Sequence, residues 1–208
     1  MKVSEPNIKD CEVGDFEKAV AENLFCNEIY ETVPLQSVNV LDATFENCVF
    51  KGIDFTNVKL TCVDLVDVVF ENCNLSNKKF NKQYLSRVKF VDCRMTGISF
   101  IDATLKDVQF VNCKADYINF TEANIWVMSV TDSNFMNMLF YETKIKNLEM
   151  NKVDLFGAEI INTALNGVDF STCRLEGIRT DTKSLHGIII DKFQAHILVK
   201  MLGVKIRE

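Results

Sequence analysis

Residues 88–113 read VKFVDCRMTGISFIDATLKDVQFVNC, and in this stretch every fifth residue, from Phe90 to Phe110, is a large apolar one. The same column continues in both directions, from Leu35 to Leu175, and all 29 of its positions are apolar. A period of five fits neither the 3.6 residues of an α-helical turn nor the alternation of an extended strand. The sequence therefore predicts a chain that turns every five residues and points one large side chain inward each time.

A second column, of smaller side chains, lies two residues before the first. It is apolar at 24 of its 29 positions, and the exceptions are Lys78, Gln83, Ser133, Thr143 and Thr163. The other three places in each five-residue unit are mostly polar. We therefore expect two residues of each unit to fill an interior and three to face solvent. Only residues 77–84, NKKFNKQY, disturb the inward pattern enough to predict a local bulge or loop.

A longer period of 20 residues is superimposed on the period of five. Two aromatic series show it: Phe50, Phe70, Phe90, Phe110 and Phe80, Phe100, Phe120, Phe140. A coil with four sides of five residues would stack these side chains in ladders, with successive coils about 4.8 Å apart like neighbouring strands. Each coil is unstable alone, and stacking buries its faces. The pattern predicts an all-β, four-sided β-helix of about seven coils.

The units AtFEN, CvFKG, VkFVD, CrMTG, VqFVN and VdFST resemble those of the pentapeptide-repeat family, whose consensus is A(D/N)LXX. The resemblance extends over residues 33–177. It implies a right-handed quadrilateral β-helix. This repeat is highly specific for a fold and weakly specific for a function.

The two ends of the chain lack the repeat and are predicted to cover the solenoid. Residues 1–32 form an expected N-terminal cap region, with Phe16, Val20 and Leu24 on one side of a short helix. Residues 178–208 are expected to form a strand–helix–strand module: a strand at 188–190, Asp191 as N-cap, a helix over 192–202, Gly203 after it and a last strand at 204–206. The segment 185–208 resembles the C-terminal module of Qnr-type and related Firmicute repeat proteins, which implies a homodimer. Its candidate contacts are the helix stripe Phe193, Ile197, Leu198, Met201 and Leu202.

The cysteines and histidines, residue types that often carry catalysis, are not arranged in a recognisable catalytic pattern. Five of the eight cysteines, Cys48, Cys73, Cys93, Cys113 and Cys173, occupy the small inward column, where cysteine serves as a small hydrophobe. The only histidines, His186 and His196, lie outside the repeats, and no CxxC, GxxxxGK, HExxH or GxSxG motif occurs. We therefore expect no catalytic residues, no metal site, no cofactor and no enzyme activity.

Charge and hydropathy narrow the class of partner. The formal net charge of −6 argues against direct nucleic-acid or anionic-membrane binding, because phosphates would repel the chain. The N-terminus has no apolar signal-peptide core, and no run approaches the roughly 18 apolar residues of a membrane span. With unpaired thiols expected, the prediction is a cytoplasmic protein without a membrane partner.

The outward charges suggest a function. Asp102, Glu122 and Glu142 share one outer position in three successive coils, and Asp42 lies further along the same series, beyond Lys82 and Cys62. A rod with carboxylates along one face can imitate the phosphates of DNA. The resemblance to Qnr-type proteins implies such a mimic, bound to DNA gyrase or topoisomerase IV and protecting it from quinolones. The alternative is a repeat scaffold for an unrelated protein partner, whose charges serve only solubility.

A set of apolar residues occupies nominally outward positions in the C-terminal half of the repeats. It could mark a partner surface or be packed under the terminal helix or in a dimer contact. Its members are Trp126, Val127, Met136, Leu139, Tyr141, Phe156 and Ile161.

Overall fold

The computed structural model describes residues 2–33, 36–201 and 204–205. The strands are β1 (Glu12–Val13), β2 (Phe25–Cys26), β3 (Glu28–Tyr30), β4 (Val38–Lys51), β5 (Val58–Glu71), β6 (Tyr84–Val91), β7 (Thr104–Val111), β8 (Asn124–Thr131), β9 (Leu139–Tyr141), β10 (Lys144–Ile145), β11 (Leu148–Asn151), β12 (Glu159–Ile161) and β13 (Arg179–Thr180). The helices are α1 (Phe16–Glu22), α2 (Thr182–Leu185) and α3 (Ala195–Met201), with a 3₁₀ turn at Phe55–Asn57.

The strands wind into a right-handed, four-sided β-helix, as predicted. Strands β4 and β5 pair in parallel, and each residue meets the one 20 positions later, for example Phe50 with Phe70. This pairing begins at Phe25, opposite Phe45, and reaches the bridge between Asp169 and Ile189. The solenoid has about eight coils rather than the predicted seven, because residues before 33 and after 177 also join the ladder.

The chain turns at residues that adopt left-handed backbone conformations. In one coil these are Asp92, Gly97, Asp102 and Asp107, with φ of 54°, 70°, 55° and 57°. Glycine, asparagine and aspartate enter this region at the lowest cost, which explains why the position two after each large inward residue is so often one of them. We call this position the corner, and each coil has four.

The interior is filled by stacked rings. Tyr30, Phe50, Phe70, Phe90 and Phe110 form a column with centroid separations of 5.1, 5.0, 5.2 and 5.0 Å. All five side chains are buried. The offset-stacked arrangement repeats at the coil spacing, so each ring contacts the rings above and below it.

The polar exceptions in the small inward column are all accommodated without breaking the coil. Buried Thr163 donates from its hydroxyl to the Phe140 carbonyl at 3.3 Å and accepts from the Thr143 amide at 3.2 Å. Half-buried Lys78 donates to the Val58 carbonyl at 2.7 Å. Residues 77–84 keep the 20-residue register, since Asn74 bridges Arg94 and Lys79 bridges Ser99, so no loop is inserted there.

Of the corners from Asp42 to Gly177, four lie outside the left-handed region: Asn57, Val127, Asn147 and Thr172. The corner at Val127 also shifts the pairing of the coils, which the five-residue pattern did not predict. Strand β7 pairs with β8 through a register irregularity in which Lys106 meets Val127 instead of Trp126. Val127 and the next corner in line, Asn147, are not in the left-handed region. A β-branched valine fits that region poorly, so the tight corner is replaced by a bulge.

Both ends of the solenoid are covered. At the first coil, Asp15 caps α1 through the amides of Glu17 and Lys18, and the Phe16 ring packs 5.6 Å from Tyr30. Leu24, expected on the same side, follows the helix and is exposed. At the last coil, the Gln194 amide donates to the carbonyls of Phe170 and Cys173, at 2.9 and 2.7 Å. These contacts satisfy edge groups that would otherwise be free to pair with another chain.

The C-terminal module differs in detail from the predicted elements. Helix α3 begins at Ala195, three residues after the expected start, because residues 192–194 form a turn. Asp191 accepts hydrogen bonds from the amides of Phe193 and Gln194, as a residue that caps this turn. Leu202, Gly203 and Ile206 lie outside the described residues.

Candidate functional site

The three clustered acidic residues form a straight row. Asp102, Glu122 and Glu142 occupy the same corner of three successive coils, have φ of 55°, 59° and 52°, and are exposed. The Asp102 amide donates to the Thr121 carbonyl at 2.9 Å, and the Glu122 amide donates to the Tyr141 carbonyl at 2.8 Å. These backbone bonds hold the three Cα atoms at the coil spacing of about 4.8 Å. We call these three residues the acidic row.

The acidic row adjoins one positive charge, since Lys82 occupies the same corner one coil before Asp102. None of the three carboxylates makes a salt bridge with a lysine or arginine in the part of the chain that the structure describes. Two like charges about 5 Å apart in water repel by about 0.8 kcal/mol. The row therefore contributes nothing to stability by itself, and a cationic partner would relieve the repulsion.

Asp42 occupies the same corner series as the acidic row, further along it, as the spacing predicts. It lies three coils before Asp102, about 14 Å away along the axis, and Cys62 and Lys82 occupy the corners between. Its carboxylate accepts a hydrogen bond from the Cys62 thiol and thereby raises the pKa of that thiol.

The N-terminus forms an extended strap that the sequence analysis missed. Residues 2–11 run along the solenoid axis, across corners that lie 20 residues apart. The Ser4 amide donates to Asp107 at 2.9 Å, the Asn7 amide to Asp67 at 2.8 Å, and the Lys9 amide to Asn47 at 3.0 Å. Five strap residues, about 16 Å of extended chain, thus cross three coils, about 14 Å.

The strap buries the carboxylates that hold it. Asp67 is 8% exposed and forms two 2.6 Å hydrogen bonds with the Arg87 guanidinium. These bonds, and the bond from the Asn7 amide, hold the pKa of Asp67 below its usual value. A salt bridge of 3.0 Å from Lys89 to Glu5 adds a contact on the same track. The corner residues carry no sequence signal for this role, because they match those at free corners.

The outward apolar residues are distributed over different sides of the solenoid. Leu139, Tyr141 and Ile161 lie on the side built by β9 and β12, whereas Trp126 and Val127 belong to β8. Val127 is buried, Tyr141 is 45% exposed, and Trp126 is 51% exposed. Met136 and Phe156 lie on a further side, where the Arg174 guanidinium covers the Phe156 ring at 4.7 Å. These residues therefore do not form one continuous surface.

The terminal helix presents its apolar stripe in two directions. Ile197, Leu198 and Met201 pack, partly buried, against the core. Phe193 is 73% exposed, with the Lys192 ammonium 4.8 Å from its ring centroid. Among the described residues of the stripe, Phe193, which lies in the turn before α3, therefore leaves the most apolar area free.

The inward cysteines are buried as expected, and each is a free thiol. Cys93 donates to the Phe70 carbonyl at 3.4 Å, and burial raises the pKa of Cys48 to about 12. No group of three or more His, Cys, Asp or Glu side chains is arranged to hold a metal ion within the described residues. In the same part of the chain, no helix is long and apolar enough to span a membrane.

Comparisons with known proteins bear on the fold. Residues 63–134 match the family described as pentapeptide repeat region, and residues 42–77 match the family described as pentapeptide repeats (8 copies). The full-length structure of QnrB1, a plasmid-mediated fluoroquinolone resistance protein, superposes with a TM-score of 0.56 at 17% identity, over 86% of this chain and 89% of that chain. HetL, a pentapeptide repeat protein involved in heterocyst differentiation regulation from the cyanobacterium Nostoc sp. strain PCC 7120, gives a TM-score of 0.37 at 16% identity, over 70% of this chain and 65% of that chain. A search of curated proteins found no match.

Proposed function

We propose, from the premise that this chain is a pentapeptide-repeat protein, that it is a non-enzymatic binding protein whose acidic row occupies the DNA-binding surface of a type II topoisomerase. Through this contact it protects gyrase or topoisomerase IV from quinolones. The acidic row carries the proposal, because it places three unpaired carboxylates at regular spacing on a rigid edge. The fold shared with QnrB1, itself a fluoroquinolone resistance protein, supports the quinolone part of the proposal.

The geometry of the row suits a cationic groove. A surface that binds duplex DNA carries Lys and Arg side chains directed at phosphates, which follow one another at about 3.4 Å of rise per strand. Carboxylates about 4.8 Å apart present a lower charge density along a comparable line. Since the rod is preformed, binding costs little ordering entropy. An interaction of this kind weakens as salt increases.

Gyrase supercoiling, measured with and without a fluoroquinolone over a concentration series of the protein, tests the proposal. We expect protection from the drug at low concentration, or inhibition of supercoiling at high concentration. Reversal of Asp102, Glu122 and Glu142 to Lys should abolish both effects. Lysine is tolerated at such corners, since Lys82 and Lys152 have φ of 63° and 52°.

A control variant with the same change in net charge distinguishes an effect of the acidic row from an effect of the overall charge of the protein. Reversal of Glu31, Glu46 and Glu149 to Lys changes the charge equally at exposed positions elsewhere. The proposal requires this control to retain the effect on gyrase. Equal loss in both variants, or no effect of the unmodified protein on gyrase or topoisomerase IV, would contradict it.

We further propose that the chain forms a homodimer through its C-terminal module, with Phe193 as the main contact. The exposed ring leaves apolar area next to a helix already anchored to the core. The helix is anchored to the core by its partly buried residues Ile197, Leu198 and Met201. In the sequence, Leu202 continues the apolar stripe.

The second candidate function is a repeat scaffold for an unrelated protein partner. The regular coils favour it: apart from the one-residue bulge at Val127, the described coils keep the 20-residue register and carry no inserted loop that could form a dedicated contact with an enzyme. It predicts no effect on supercoiling and a contact surface away from the acidic row. The gyrase assay therefore distinguishes the two functions.

A further inference from the structure

We propose that the side of the solenoid around Trp126 is a second binding surface, which takes an extended acidic peptide running along the solenoid axis. The surface consists of Lys106, Trp126, Lys144 and Lys146 above the floor formed by Ile125 and Ile145. We call it the Lys–Trp surface. It does not depend on the topoisomerase proposal.

The three lysines of this surface and its tryptophan are exposed. Lys106 pairs with Val127 rather than with Trp126, and Lys144 precedes the inward residue Ile145. Lys106, Trp126 and Lys146 each follow an inward residue of the same ladder, in three successive coils. The Lys146 ammonium lies 5.3 Å from the centroid of the Trp126 ring. Trp126 itself is 51% exposed. Between Trp126 and its neighbours is a shallow groove of about 320 Å³.

The local backbone is shaped differently from every regular coil. The bulge at Val127 and the altered corner at Asn147 replace two tight turns directly after this surface. The Asn147 side chain donates to the Trp126 carbonyl at 3.2 Å, which fixes the tryptophan backbone in this arrangement. A large apolar ring on a rigid, exposed edge is the kind of residue that anchors a protein interface.

Charge identifies the chemistry of the partner. None of Lys106, Lys144 and Lys146 makes a salt bridge to a carboxylate within the described residues. Glu122 and Glu142 occupy the preceding corner and leave these lysines unpaired. Acidic side chains would neutralise the lysines, and an apolar side chain between them would cover Trp126. The chain's net charge of −6 opposes a longer polyanion such as single-stranded nucleic acid.

The strap shows how an extended segment fits along this solenoid. Its Ser4 and Asn7 amides, three residues apart, bind Asp107 and Asp67, which are two coils apart. Lys106 and Lys146 are also two coils apart, about 10 Å. In an extended helix with three residues per turn and 3.1 Å rise, residues n and n+3 lie on one face about 9 Å apart. The expected ligand therefore carries acidic residues at n and n+3 with an apolar residue between them.

Trp126 is the only tryptophan of the chain, so its fluorescence reports on this surface alone. The probe is the synthetic peptide acetyl-Pro-Glu-Pro-Leu-Glu-Pro-amide, titrated into the full-length protein. We expect a saturable blue shift of the emission, because the peptide excludes water from the ring. A peptide with both Glu residues replaced by Lys should give no shift.

Variants assign the effect to the surface. Lys106→Glu together with Lys146→Glu should weaken binding by about tenfold or more, since two attractions become repulsions. Lys59→Glu together with Lys79→Glu makes the same charge change at exposed positions on another side and should leave binding unchanged. The Trp126→Ala variant has no tryptophan signal, so its affinity for the peptide is measured by the fluorescence anisotropy of a labelled peptide. This variant should also lose binding.

Three results would overturn the proposal. They are no saturable shift with the acidic peptide, equal weakening by both pairs of lysine variants, and binding of a short oligothymidylate in preference to the peptide. Circular dichroism of each variant must match that of the unmodified protein, and Trp126→Phe offers a second, milder substitution should Trp126→Ala unfold.

Discussion

Replacement of Phe90 by leucine should destabilise the protein through a defined number of lost ring contacts. Phe90 is fully buried in the aromatic column, with centroids 5.2 Å from Phe70 and 5.0 Å from Phe110 and interplanar angles of 7° and 12°. Phe80, also fully buried, stacks on one ring only, that of Phe100, at 5.8 Å. Phe90 also meets the Phe100 ring edge-on, with centroids 6.5 Å apart. The two positions thus differ mainly in the number of ring partners, three for Phe90 against one for Phe80.

The expected free-energy changes follow from these contacts. Each stacked or edge-on pair contributes about 0.5–1.5 kcal/mol beyond its buried area. With three such pairs, Phe90→Leu should lower the free energy of unfolding by about 1.5–4.5 kcal/mol, and Phe80→Leu, with one pair, by about a third as much. Phe90→Ala, which also leaves a cavity, should cost about 3–5 kcal/mol.

Urea denaturation, followed by circular dichroism and by Trp126 fluorescence, measures these differences. If Phe80→Leu lowers the free energy of unfolding as much as Phe90→Leu does, the number of ring partners does not determine the stability lost at these positions. A cost below about 0.5 kcal/mol for Phe90→Ala, the range of ordinary surface substitutions, would refute the packed interior altogether.

The strap, the thiols and the terminal helix each lead to a further measurable outcome. Because the pKa of Asp67 is lowered in the folded state, its bond to the Asn7 amide is intact above about pH 4 and is lost as the pH falls through the lowered value. As the pH falls through this value, the amide hydrogen exchange of residues 4–9 should accelerate before the coils unfold. Protection of these amides that persists until global unfolding would contradict this prediction. A thiol reagent should modify exposed Cys62 in the native protein and reach the five buried cysteines only after unfolding; rapid native labelling of Cys93 would argue against the buried ladder. Phe193→Ser should halve the mass measured by light scattering, whereas an unchanged mass would remove this residue from the dimer contact.

The fold could be predicted almost completely from the sequence, because the same local environment recurs in every coil. A fully buried position such as Phe100 accepts only a large apolar residue, and a corner such as Asp102 favours residues that tolerate positive φ. Because each preference recurs in many coils, the pattern can be recognised in the sequence even though the preference at a single position is weak. The position of the acidic row was also predictable, since the coils around it keep the 20-residue register: the Asp102 amide donates to the Thr121 carbonyl and the Glu122 amide to the Tyr141 carbonyl.

The candidate site was only partly predictable. Asp42 shares the spacing of the acidic row, yet three coils separate it from Asp102. The outward apolar residues are close in sequence, but the turn every five residues sends Trp126 and Tyr141 to different sides. Adjacency in a four-sided coil follows spacing of 20, not proximity along the chain.

The sequence by itself determined the period, the coil length and the two inward columns, because these depend on side-chain size and backbone preference at each position. Only the tertiary structure decided the course of the strap and the bulged corner beside Trp126. The strap is held by its own backbone amides on Asp67 and Asp107, across separations of 60 and 103 residues. Every residue except proline carries such an amide, so no side-chain pattern marks the contact. At Val127 the structure shows how the chain accommodates a residue that fits the left-handed corner poorly: the pairing of Lys106 shifts to Val127, which the five-residue pattern does not mark.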